Sequence, residues 1–134
     1  MANTTIGYPT VQKYLTGLAT LNGAIGGSPH KAFWVNMTYD QFMSANVPHV
    51  SYHGAPVPIV WKAAPLLSPL FMILIEPGGW GGFPQMPMDG PFITDDNLQI
   101  PVDNTTVSGK QVREDLEVWF RNGCPKDPMP IPGP

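Results

Sequence analysis

Three histidines, one cysteine and seven methionines are the soft or nucleophilic side chains of this 134-residue chain. The softest donor set is His30 with Met86 and Met88. An imidazole with thioethers suits copper, Cu(I) above all. Met88 stands two residues beyond Met86, so one loop could offer both sulfurs or turn one into the core. Methionine also fills irregular gaps in cores, and that is the simpler role for residues so frequent here. Adding Cys124 would complete a His–Cys–Met set of the blue-copper kind, but the order of elements does not build the β-sandwich such a site needs. His49 and His53 lie four apart in "PHVSYHGAP". A helix would bring both rings to one face. Pro48, Gly54 and Pro56 favour an extended chain instead, which separates them by about 13 Å and prevents joint chelation.

Acid, base and nucleophile candidates are few. Asp89, Asp95 and Asp96 could act as acid and base or hold Ca²⁺, yet "TDDN" reads more simply as a turn with Thr94 as a cap. Cys124 is the lone thiol. That excludes an intramolecular disulfide and every Cys-x-x-Cys motif. It follows the end of the last helix, where the dipole raises a thiol pKa, so it reads as inert. No Gly-x-Ser-x-Gly, phosphate-cradling loop or His-Glu-x-x-His is present. Enzyme chemistry therefore has no positive sign, and a non-catalytic role is expected. Trp80 and Phe83 in "GGWGGFP" stand apart. A large aromatic between glycines has little local support, so it must either plug the core or meet a partner. Trp34 joins them as a partner-binding or core-filling candidate.

The elements that must position these residues are short. The chain has 17 Pro and 14 Gly, well above the roughly 12% that the pair averages. With 43% hydrophobic and 13% charged residues, it is nonetheless globular rather than disordered. Residues 1–134 read as one domain, with a loose N-terminus over 1–7 and a Pro-rich tail over 126–134. The net charge is -3 and the basic residues are scattered, which excludes a nucleic-acid face. The run 64–75 is too short for a membrane span. Three Asn-x-Ser/Thr sequons, at Asn3, Asn36 and Asn104, read as turn and cap residues. "MANTTIGYPT" has no signal-peptide pattern.

Hydrophobic spacing predicts a first helix over 9–21, with Val11, Tyr14, Leu15, Leu18 and Leu21 on one face. Gly17 weakens it by about 1 kcal/mol relative to Ala. A capping box, Thr38 to Gln41, opens a short helix. Residues 49–65 read as extended, with prolines too frequent for a central strand. Ser68-Pro69 opens a helix "PLFMILIE", and 77–92 reads as a structured Gly/Pro loop. The last helix starts at a second capping box, Ser108 to Gln111, buries Val112, Leu116, Trp119 and Phe120, and turns Glu114, Asp115 and Glu117 to water. It exits through Asn122-Gly123.

The order helix, Gly-rich loop ending in His30, Pro-rich stretch, helix, "PQMPMDGP" loop and terminal "WFRNGCP" resembles a small bacterial c-type cytochrome domain. In that family a Cys-x-x-Cys-His motif holds the haem, a Met-Pro loop supplies the second axial ligand, and a Trp-x-x-x-Gly phrase ends the chain. Here Gly26-Gly27-Ser28-Pro29-His30 stands where the attachment motif belongs, so covalent haem is excluded. The resemblance implies a mainly α fold of three to four short helices with long Pro/Gly loops and the terminal helix across the first. It also implies a haem-free binding or interaction domain, a partner or subunit of an oxidoreductase or of another copy of itself. The docking surface would be the 77–92 loop. The alternative is a redox or metal protein using His30 with Met86 or Met88 for copper or non-covalent haem. The location would be bacterial periplasmic or extracellular if a leader was removed, and cytoplasmic otherwise.

Overall fold

The computed structural model describes residues 5–23, 32–88 and 90–130. Among these the order is α1 (Tyr8–Asn22), α2 (Tyr39–Ser44), β1 (Asn46–Tyr52), β2 (Ala55–Pro58), α3 (Pro69–Ile75), β3 (Gln99–Val102), β4 (Thr105–Ser108) and α4 (Gly109–Arg121). Short 3-10 turns occupy Phe33–Asn36 and Pro65–Leu67. β1–β2 and β3–β4 form two separate antiparallel pairs. The fold is thus mixed α/β, which corrects the mainly α, cytochrome-c-like expectation.

The correction has a local cause. Prolines disqualify a segment from a central strand, but a two-stranded sheet has no central strand. β1 and β2 therefore accommodate Pro48, Pro56 and Pro58 with a broken register between Asn46 and Ser51. β3 and β4 pair in unbroken register from Gln99↔Ser108 to Val102↔Thr105. Their turn relies on Asp103 at φ 54°, a left-handed conformation that aspartate tolerates better than most residues.

The helices follow their sequence signals more closely. α1 starts behind Gly7 with Pro9 in its first turn and ends on left-handed Gly23. α2 carries the full Thr38–Gln41 capping box. At α4 only half of the expected box forms. Ser108 Oγ accepts from the Gln111 amide, while Gln111 Nε2 turns to Asp115 at 2.7 Å. α3 is helical, but Ser68 does not cap it. The Ser68 hydroxyl accepts from the Trp61 amide at 2.9 Å instead.

One core joins these pieces. Val11, Phe42, Ile59, Ile93, Ile100, Trp119 and Phe120 are all fully enclosed within it. Each such side chain contributes about 1.5–3 kcal/mol. α1 lies chiefly on β3, and α4 on α3, β4 and the 65–67 turn. α1 and α4 are linked through Tyr14, whose hydroxyl donates to Asp115 at 2.6 Å. Asp115 is accordingly half-buried rather than turned fully to water.

The segments expected to be loose meet each other where they are described. The Thr5 amide donates to the Met129 carbonyl and the Tyr8 amide to the Lys126 carbonyl. The latter contact caps α1, because Gly7 has no side chain with which to do so. No helix among the described residues is long and apolar enough to cross a membrane.

Candidate binding surface

Two tight turns build the most distinctive surface of the molecule. At the tip of β1–β2, Tyr52 pairs with Ala55 across His53 and Gly54. Both turn residues have positive φ, 51° and 79°, the signature of a type I′ turn. In the 77–88 loop, Trp80 and Phe83 pair across Gly81 and Gly82. Their φ values are 60° and 86°, and amide–carbonyl bonds of 3.0 and 2.9 Å close the ring in both directions. "WGGF" is therefore a miniature hairpin, and its glycines set its conformation. Gly79, at φ 76°, passes so close to the Phe83 carbonyl that any Cβ would collide with it.

The two hairpins abut. The Tyr52 and Trp80 ring centroids are 5.2 Å apart at an interplanar angle of 50°. The His53 ring lies 4.1 Å from Tyr52. Gly81 faces the Tyr52 ring, and a Cβ there would come within 3.0 Å of Cδ1. Tyr52 stays 41% exposed, and Trp80 and Phe83 are half-buried. A shallow open cleft of about 520 Å³ runs along the same hairpin, lined by Asn46 to Ser51 with Gly54 and Pro56.

Polar atoms divide the aromatic residues into two groups. Tyr8, Tyr14 and Tyr39 donate their hydroxyls to Met37, Asp115 and Cys124 at 2.8, 2.6 and 2.6 Å. The Trp34 and Trp119 indoles donate to Thr16 and Pro125 at 3.0 and 2.8 Å. Burial raises the pKa of all three of these tyrosines. Among the described residues, the Tyr52 hydroxyl and the Trp61 and Trp80 indoles have no protein acceptor. The half-buried Trp80 keeps its indole N–H in reach of solvent, since no buried polar atom of such a residue lacks a partner, and Tyr52 and Trp61 are themselves exposed. Unspent donors on exposed rings are what a binding surface offers.

The other sequence candidates are dispersed. Trp34 is buried at 5% exposure, with its indole bonded into α1, so it belongs to the core. His30 and Asp89 fall outside the described residues. Met86 is half-buried against the core and its amide donates to the Ile73 carbonyl at 2.9 Å. Met88 is 56% exposed. The methionine turn does reach α1, where Asn22 Nδ2 donates to the Met88 and Gly90 carbonyls at 2.9 and 2.7 Å. Met86 and Met88 separate into a packing residue and a surface residue. No group of three or more His, Cys, Asp or Glu gathers among the described residues.

His49 and His53 are exposed positions of one hairpin, and His49 takes φ 59° within the irregular stretch of β1. Asp96 pairs with Arg113 at 2.7 Å, and Asp95 Oδ1 accepts from the Asn97 amide at 3.0 Å, so both serve local structure. Cys124 is fully buried, and desolvation pushes its thiol pKa up to about 12.

Tyr52 and Trp61 were not singled out by the sequence patterns. A His-Gly pair between β-rich residues was the available signal for the first, being the turn chemistry that brings Tyr52 to a hairpin tip. Family models, curated proteins and solved structures give no match to this chain.

Proposed function

We propose that this chain is a small non-catalytic interaction domain that docks a partner through the Tyr52–His53–Trp80 junction. The observation that carries the reading is the division of aromatic polar atoms. Core tyrosines and tryptophans spend theirs internally, whereas those of Tyr52 and Trp80 find no protein acceptor, on rings that stand beside two type I′ turns. Rigid, amphipathic Tyr and Trp rings bind at low entropic cost and dominate binding energy at interfaces. On this reading the docking loop expected at 77–92 narrows to its Trp80 end and is joined by the β1–β2 tip.

Affinity capture from the native host tests this with three baits: wild-type chain, Trp80→Ala and the surface control Lys110→Ala. The expected result is a stoichiometric partner retained by wild type and Lys110→Ala and lost by Trp80→Ala, with all baits equally folded by circular dichroism. A partner captured equally by all three would place the docking surface elsewhere.

A further inference from the structure

We infer that Asn22 is a modification site: its side-chain amide deamidates spontaneously, and the carboxylate so formed releases the turn at 88–90 from the end of α1. The inference is independent of the docking reading and concerns a different part of the molecule.

The sequence supplies the chemistry. Asn22 is followed by Gly23, and Asn122 by Gly123. In such a pair the glycine amide nitrogen, once deprotonated, attacks the asparagine Cγ, because the glycine has no side chain to obstruct the approach. The new N–Cγ bond closes a succinimide, the Cγ–Nδ2 bond breaks, and ammonia leaves. Water then opens the ring at either carbonyl, giving aspartate or isoaspartate, and the carboxyl proton goes to solvent. Water is the one co-reactant the step needs.

The structure supplies the consequence. Asn22 Nδ2 donates to the Met88 carbonyl at 2.9 Å and to the Gly90 carbonyl at 2.7 Å. An ionised carboxylate has no hydrogen to donate. Deamidation therefore replaces two bonds with an anion facing two carbonyl oxygens, and the tie between α1 and the turn is lost. Asn122 Nδ2 donates instead to the Val118 carbonyl, at 2.8 Å within α4 itself. Its conversion leaves that tie untouched.

The two helix ends also set the order of reaction, since ring closure requires the glycine amide to leave its helical partner. The Gly23 amide donates to the Ala19 carbonyl at 2.9 Å, and the turn that must open carries the exposed Thr20 and Leu21. At the end of α4 the Gly123 amide donates to the Phe120 carbonyl and the Cys124 amide to the Trp119 carbonyl, the paired bonds of a Schellman motif. The Tyr39 hydroxyl holds the Cys124 carbonyl as well, at 2.6 Å. Opening this end disturbs Trp119, Phe120 and Cys124, all fully buried. A fraying helix end opens at little cost, whereas one anchored in the core opens only near the free energy of global unfolding. Asn22 therefore converts first, although its own two bonds must also break.

The test is incubation of the native full chain at mildly alkaline pH, with peptide mapping by mass spectrometry at both asparagines and a parallel sample unfolded in urea. In urea the two sites should convert at similar rates. In the native chain Asn22 should convert at least about 10-fold faster than Asn122, because its segment opens more readily. Asn22→Asp makes the product directly and should shift the Met88 and Gly90 amide signals of the ¹⁵N-labelled chain. Asn122→Asp should leave those signals in place. Native conversion at Asn122 as fast as at Asn22 would overturn the inference. So would an Asn22 that converts only in urea, or Asn22→Asp spectra in which Met88 and Gly90 hold their positions.

Discussion

Gly17→Ala is expected to destabilise the protein, although helix propensity alone predicts the reverse. Gly17 sits mid-helix in α1, where replacing Gly by Ala gains about 1 kcal/mol. In the folded chain the helix lies directly on β3. A Cβ at position 17 would overlap the Pro101 carbonyl oxygen and come within 2.7 Å of Ile100 Cγ2. Ile100 is fully buried, so neither atom can withdraw without moving strand and core together. Overpacking of this kind costs about 1–3 kcal/mol and more when backbone must shift. The net loss is about 2 kcal/mol, equivalent to a fall in Tm of roughly 6–10 °C for a domain of this size. Gly78→Ala is the matched control. Gly78 meets no atom within 4 Å of a built Cβ and lacks positive φ, so it should be neutral or stabilise by about 0.4–1 kcal/mol. Urea unfolding of both variants supplies the measurement. A Gly17→Ala protein as stable as wild type, or more so, would refute the close approach of α1 to β3.

Other consequences follow from specific contacts. Cys124 should resist thiol reagents at pH 8 in the native state and react fully once unfolded, because it is enclosed and its pKa is pushed up to about 12. The unfolded thiol ionises from about pH 9 and the native one does not. Stability should therefore fall between about pH 9 and 12, and Cys124→Ala should remove the earliest part of that decline in thermal melts. Tyr14→Phe breaks the 2.6 Å bond to Asp115. Asp115 keeps Gln111 and partial access to water, so the cost should be about 1 kcal/mol, read from urea midpoints. Gly7→Ala would place a Cβ within 2.8 Å of Pro128 Cδ and 2.9 Å of the Lys126 oxygen. It should release the tail from the start of α1, seen as faster amide exchange at Tyr8.

The helices were legible because their signals are local. Val112, Leu116, Trp119 and Phe120 recur at helical spacing, Thr38 stands three residues before Gln41, and Gly123 supplies a left-handed exit. The strands were not. Their segments are short and interrupted by proline, and each pair is held by a two-residue turn in which His53 or Asp103 adopts positive φ. A histidine or aspartate does not announce that conformation as glycine does. Gly17 was legible only as a weakness of α1, because its partner, the Pro101 backbone, lies far along the chain. The candidate surface was half visible for the same reason. "GGWGGFP" marks Trp80 and Phe83 as unusual on their own, whereas the ring beside Trp80 comes from Tyr52, in a different hairpin. Trp34 stood beside Trp80 among the candidates, and its burial and the Thr16 hydroxyl beside its indole sort it into the core.

Solvent exchange at the four tryptophan indole N–H groups tests the central claim most directly. Trp34 and Trp119, bonded to Thr16 and Pro125, should be slow to exchange, while Trp61 and Trp80 exchange rapidly. Rapid exchange at Trp34 or Trp119, or a Trp80 indole protected from exchange, would contradict the account.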